Sequence, residues 1–214
     1  MVIFRPHIRQ CSAPSGPEGR QSLERMNQHH IGVTIWGLRT IPPVDAKTIL
    51  DVGCGGGMCL RKLSEKYPAA RLTGIDLSTT SVEATTENNA DLVAAGRLTV
   101  RPMDVEKLDF PENSFDLVTA VETYFFWPHL AQDIKNVARV VAPGGLFVII
   151  AEDSFTEKNR TQMLQQKKEH PDAATIVEND VMMHHLREAG LRPYYCRTDV
   201  LPWVAFIARK PPFP

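Results

Sequence analysis

The chain has 214 residues, 43% of them hydrophobic and 23% charged, with a formal net charge of −1. That length supports one domain with a complete core, and the charge balance lacks the basic excess that duplex DNA or structured RNA demands, so no nucleic-acid partner is expected. The four cysteines, Cys11, Cys54, Cys59 and Cys196, lack zinc-ligand spacing, and no apolar run reaches a membrane span, so a cytoplasmic, free-thiol protein is expected.

In chain order, residues 1–21 carry no apolar core of signal-peptide length, and the turn formers of residues 12–19 mark a flexible lead-in. From residue 22 the composition changes. Leu23, Met26, Ile31, Trp36 and Leu38 recur at helical intervals until Pro42-Pro43, which predicts an N-terminal cover helix over 22–43 at the edge of a single domain spanning 22–214. Strands are predicted at 48–52, 71–75, 98–101, 115–121, 145–151, 192–197 and 203–209. Helices are predicted at 58–67, at 78–95 with Ser78 or Thr79 as cap, at 130–141, and at 180–189 ending at Gly190. The alternation reads as a Rossmann-like, doubly wound α/β domain. Its sheet is seven-stranded and mostly parallel, and the closing hairpin makes one strand near the C-terminus antiparallel. The charged stretch 154–179, with Lys158, Arg160, Lys167 and Lys168, is an insertion or lid.

The sequence Ile49-Leu50-Asp51-Val52-Gly53-Cys54-Gly55-Gly56-Gly57 runs a buried strand straight into a glycine-rich loop before a helix. Open α/β sheets bind nucleotides at that position, where bare backbone lets a ligand come close. A dinucleotide fingerprint, Gly-x-Gly-x-x-Gly, fails in both registers, because its third glycine falls on Met58 or on Leu60. The spacing acidic-x-Gly-x-Gly-x-Gly fits Asp51, Gly53, Gly55 and Gly57 at every position.

Here the chain resembles the class I methyltransferases that use S-adenosylmethionine, and the resemblance runs from about Ser22 to Lys210. Its further segments are Gly74-Ile75-Asp76, Met103-Asp104-Val105, Phe115-Asp116-Leu117-Val118 and the turn Val140-Val141-Ala142-Pro143-Gly144-Gly145, with Ala142 where lysine or arginine is common in the family. The resemblance implies that Asp76 accepts hydrogen bonds from the ribose hydroxyls and that Leu77 packs on the adenine. It implies further that Asp104 takes the adenine amino group, that the backbone of Val105 touches the ring, and that Val121 lies beside the cofactor with the glycine loop.

The implied reaction is in-line transfer of an activated methyl group to an oxygen, nitrogen or carbon nucleophile of a small molecule, which needs alignment and often a base. Candidates are Glu122 at the end of the fourth strand, Tyr124 in the aromatic run 124–127, and His29, or its neighbour His30, in the cover segment. Ala-Val-Glu-Thr stands where amino-methylating enzymes carry Asn-Pro-Pro-Tyr, which argues against amide and nucleobase amino groups as acceptors. No metal site is expected, although Glu122, Glu152 and Asp153 offer carboxylates of the kind a magnesium-dependent enzyme uses. The protein is expected to act as a monomer or homodimer. A cofactor-binding regulatory or partner protein without transferase activity is the alternative, and an NAD-dependent oxidoreductase is disfavoured by the misplaced glycine.

Overall fold

A computed structural model describes residues 8–155, 159–169 and 176–212. Seven strands form one sheet: β1 (Thr48–Val52), β2 (Arg71–Asp76), β3 (Leu98–Pro102), β4 (Phe115–Val121), β5 (Val141–Ala151), β6 (Arg192–Arg197) and β7 (Val204–Arg209). Their order is β3-β2-β1-β4-β5-β7-β6, with β7 antiparallel to both neighbours and the other pairings parallel. The fold and its antiparallel strand are those the sequence predicts. The strand order reverses between β1 and β4, which is where doubly wound sheets open a crevice.

The helices are α1 (Ile8–Ser12), α2 (Gly16–His29), α3 (Ile31–Thr40), α4 (Met58–Lys66), α5 (Thr79–Asn88), α6 (Ala90–Ala94), α7 (Leu130–Val140), α8 (Arg160–Glu169) and α9 (Asn179–Glu188). Side chains alternate between the two sheet faces. Leu50, Val118, Ala120, Phe147 and Ile149 pack with Ile134 and Val137 of α7 and Met182 and Leu186 of α9. Ile49, Leu117, Leu146, Val148 and Ile150 pack on the opposite face with Val33 and Leu38 of α3 and Leu60 and Leu63 of α4. Burial on both sides explains why β5 reads as an unbroken apolar run. Among the described residues no helix is long and apolar enough to cross a membrane.

Three sequence expectations are corrected. The reading of residues 1–21 as a flexible lead-in fails from Ile8 onward, because α1 and the start of α2 occupy that stretch. Proline in the first turn of α2 with Glu18 beside it starts the helix, and Arg20 ties it to Glu83 and Glu87 of α5. The single cover helix over 22–43 is two helices that meet at His30, which caps both. The single helix over 78–95 breaks at Asn89, whose side-chain amide donates to Gly57 O at 3.2 Å and Thr85 O at 3.0 Å. Ser78 does cap α5, accepting from Ser81 N at 3.2 Å.

Within 154–179 the structure shows α8 and, at the start, Ser154 Oγ donating to Pro202 O at 2.7 Å. Lys158 and the side chains of Lys167 and Lys168 lie outside the described residues.

Candidate active site

The loop after β1 takes its shape from its glycines. Gly53, Gly55 and Gly57 have φ of +73°, +54° and +82°, so the alternate-residue spacing is a run of left-handed positions separated by ordinary ones. Gly53 is doubly constrained, because a Cβ there would overlap the side chain of Thr123. Gly55 faces the crevice, and the nearest atom to a Cβ built there is Leu23 Cδ2 at 3.8 Å, so its backbone is bare for a ligand. The loop is held from behind by Asn27, Asn88 and Asn89, whose amides donate to Gly56 O at 3.2 and 2.9 Å and to Gly57 O at 3.2 Å.

Asp76 ends β2 and folds back on this loop. Its carboxylate accepts from Gly55 N and from Ser78 N, each at 2.9 Å. Burial raises its pKa, and the two backbone N–H groups pull the other way. Beyond it the cleft wall continues through Leu77, which is 63% exposed, and through Met103, Asp104 and Val105. Asp104 caps the short 3-10 turn Val105–Lys107 by accepting from Glu106 N at 3.0 Å. An exposed leucine between two carboxylates in a cleft fits a flat ring with polar edges. Two carboxylate acceptors flanking an apolar face therefore suit an adenosine.

Asp51 lies deeper. It pairs with Thr119 across β1 and β4, and the Thr119 hydroxyl donates to Asp51 Oδ1 at 2.6 Å. Burial pushes the Asp51 pKa up to about 7, against the lowering contact of that hydroxyl. Asp51 and Val121 both line the crevice. The neighbouring thiols of Cys54 and Cys59 are buried, and burial raises the pKa of each well above the usual thiol range.

At the far end of the crevice stands Glu122, in a left-handed conformation with φ +54°. A non-glycine residue there is strained, and the strain turns its carboxylate across the strand ends. Glu122 Oε1 accepts from the backbone N–H of Glu152, the residue that leaves β5. His30, at the break between α2 and α3, brings Nδ1 to 3.3 Å from Glu152 Oε2 and 3.7 Å from Glu122 Oε2. Burial pushes the Glu152 carboxyl up, but the contacts with His30 and His29 outweigh it, and its pKa sits below the usual range.

Two predicted catalytic residues sit differently from expectation. Tyr124 is 2% exposed, belongs to the core against α7 and α9, and does not line the cleft. The 3-10 turn Tyr124–Phe126 sends it beneath the sheet and leaves Phe126 and Trp127 on the cleft wall. Burial and the nearby Glu122 raise its pKa, and its hydroxyl meets the backbone of Val177. His29 is half exposed and reaches Glu152 Oε2 at 3.1 Å from the outer side, so His30 is the cleft-lining histidine. Sequence reasoning missed the wall formed by Cys11 and Pro14. The signal available was the proline of the α2 first turn and the polar stripe on that helix.

Residues 50–149 match the family model described as a methyltransferase domain. Over that stretch the chain is similar to proteins that carry this domain. The chain is 37% identical over 149 residues to the 2-methyl-6-phytyl-1,4-hydroquinone methyltransferase of Synechocystis, a match covering 65% of this chain and 45% of that protein. It is 29% identical over 150 residues to the 27-O-demethylrifamycin SV methyltransferase of Amycolatopsis mediterranei, covering 68% of this chain and 54% of the other. The chain thus spans about half the length of these curated relatives. Human N-acetylserotonin methyltransferase, solved in complex with S-adenosylmethionine, superposes with a TM-score of 0.77 at 17% identity, over 98% of this chain and 60% of that one.

Proposed function

We propose that the protein transfers a methyl group from S-adenosylmethionine to an oxygen, nitrogen or carbon nucleophile of a small molecule. The observation that carries this reading is one continuous crevice with a glycine cradle and Asp76 at one end and Glu122 and His30 at the other. The cofactor, when bound, supplies a methyl group already activated on a sulfonium.

The chain's own residues do the rest. Gly53, Gly55, Gly57 and Asp51 shape the loop that receives the cofactor. Asp76 and Asp104 offer carboxylate oxygens to the ribose and the adenine, Leu77 and Val105 offer apolar surface, and Val121 closes the strand end. Asn27 and Met26 of α2 cover the crevice and keep water out. Glu122, held by its bond from the Glu152 backbone N–H, takes the acceptor's proton in this reading, with His30 and His29 against the Glu152 carboxylate beside it. The two named relatives act on a hydroquinone and on a rifamycin, which supports a small organic acceptor here. Free thiols support a cytoplasmic location, and the reading carries a monomeric or homodimeric state.

Calorimetric titration with S-adenosylmethionine, S-adenosylhomocysteine and NAD tests the binding. Both adenosyl ligands bind and NAD does not, and Asp76→Ala weakens them by about 100-fold, the loss of two hydrogen bonds to a charged group. Glu122→Gln keeps the acceptor for the Glu152 N–H, so it retains cofactor affinity. It loses about 100-fold in S-adenosylhomocysteine release with hydroxylated aromatic acceptors, the scale of a missing base. A folded wild type that binds no adenosyl ligand sinks the proposal; binding without turnover on any acceptor moves the protein to the regulatory reading.

A further inference from the structure

Methyl transfer from a sulfonium needs no cluster of metal-ligating atoms, yet the mouth of the cleft holds one. His29 Nε2 and His30 Nδ1 lie 3.1 and 3.3 Å from the same oxygen, Glu152 Oε2, and the three donor atoms all fall within 4.8 Å of one another. Donors at zinc bond lengths around a tetrahedral ion stand about 3.3 Å apart, so two edges of that figure are already in place. The third edge, between the two imidazole nitrogens, is no longer than 4.8 Å.

The placement is built into the backbone. The two imidazoles leave the chain at the break between α2 and α3, edge to face with ring centres 4.9 Å apart and planes at 80°, so they do not stack. Glu152 is fixed at the end of β5 by the bond from its own N–H to Glu122. His30 Nδ1 is buried and, despite the nearby carboxylates, has no aligned hydrogen-bond partner among the described residues. A buried ring nitrogen without a partner, facing two carboxylates, is what an ion-pair cluster leaves unsatisfied and a cation satisfies.

We propose that His29, His30 and Glu152 form a binding site for a zinc-class divalent cation at the mouth of the cleft. Two imidazoles and one carboxylate are the donor set of several zinc enzymes, whereas magnesium and calcium take oxygen ligands. Three protein ligands leave a fourth position for water or another ligand, and His30 lines the crevice together with Glu122. The sequence expectation of no metal site gives way to this proposal, and the magnesium alternative with Asp153 is not the one the donors favour.

The test is titration of the chelator-treated full chain with Co²⁺, read by the visible absorption of a four-coordinate ion, followed by displacement with Zn²⁺. One Co²⁺ binds per chain and Zn²⁺ removes its spectrum. His29→Ala, His30→Ala and Glu152→Gln each weaken binding by about 100-fold or more, at or beyond the effect of losing a supporting group around a metal. Thermal melting shows which variants fold, and the near-isosteric Glu152→Gln keeps the test valid if a histidine variant does not. Asp76→Ala binds Co²⁺ as wild type does while losing cofactor affinity, which separates this proposal from the methyl-transfer reading. A folded wild type without stoichiometric Co²⁺ binding, or binding that survives all three substitutions, overturns it.

Discussion

One wall of the cleft is a single stretch of chain: β1 runs into residues 53–57 and then into α4, and every torsion that matters belongs to a residue inside that stretch. The opposite end is assembled from three places, the α2–α3 break at His30, the end of β4 at Glu122 and the end of β5 at Glu152. The first wall depends on backbone conformation, so a glycine pattern reports it. The second depends on packing, because Gly37 of α3 lies so close to Ile150 of β5 that a Cβ would overlap it, and that approach is what brings His30 over the strand ends.

The largest effect that sharpens the contrast falls on the local wall. Gly53→Ala places a Cβ on Thr123 at a φ of +73° and costs about 2–5 kcal/mol, strain and overlap together. Gly96→Ala, at a φ of +67° with nothing within 4 Å, carries only the torsional part, about 1–2 kcal/mol. Urea unfolding of the two variants measures the difference, and cofactor titration of Gly53→Ala shows a loss of about 100-fold, in line with that destabilisation placed at the loop. Equal destabilisation by the two substitutions breaks the claim that Thr123 and the loop are mutually fitted.

What the sequence revealed follows the same division. The strand–loop–helix periodicity and the apolar run of β5 make the sheet, its order of elements and its closing hairpin legible, because alternation and burial leave marks on neighbouring residues. Asp51, Asp76 and Asp104 are legible because each lies within two residues of a strand's C-terminal end, and all three line the crevice. Tyr124 is not, since which member of an aromatic run turns under the sheet is decided by the 3-10 turn at Tyr124–Phe126 and not by composition. The choice between His29 and His30 is likewise a matter of where one helix stops and the next begins.

A second prediction probes the floor of the local wall. Asp51 is protonated more readily in the folded protein than in the unfolded chain, its pKa pushed by burial to about 7 from the ordinary 3.8. The unfolded chain therefore gives up its proton first as pH rises, and stability declines from the carboxylate range up to about pH 7. Between about pH 5 and about pH 8 the decline is at most about 3 kcal/mol from this group. Asp51→Asn keeps a side-chain oxygen for Thr119 and removes that slope, so the difference between the two denaturation curves grows with pH. Parallel curves mean that Asp51 is ionised throughout and that the crevice floor is wetter than its burial implies.

The smallest effect tests the assembled end of the cleft. The Tyr124 ring packs in the core beside Phe125, with centres 5.3 Å apart at 65°, and its hydroxyl meets the backbone of Val177 before α9. Tyr124→Phe keeps the ring and removes one hydrogen bond, a cost of about 1 kcal/mol on unfolding. Turnover stays within about twofold, because a rate change of that size corresponds to less than a single weak contact in the transition state. The readout is the split between the two quantities. If Tyr124 only fastens the segment before α9 to the core, the midpoint of denaturation shifts and the rate does not. A tenfold loss of rate with cofactor affinity unchanged would instead put the phenol against the acceptor, and the 3-10 turn would then have to rearrange when substrate binds.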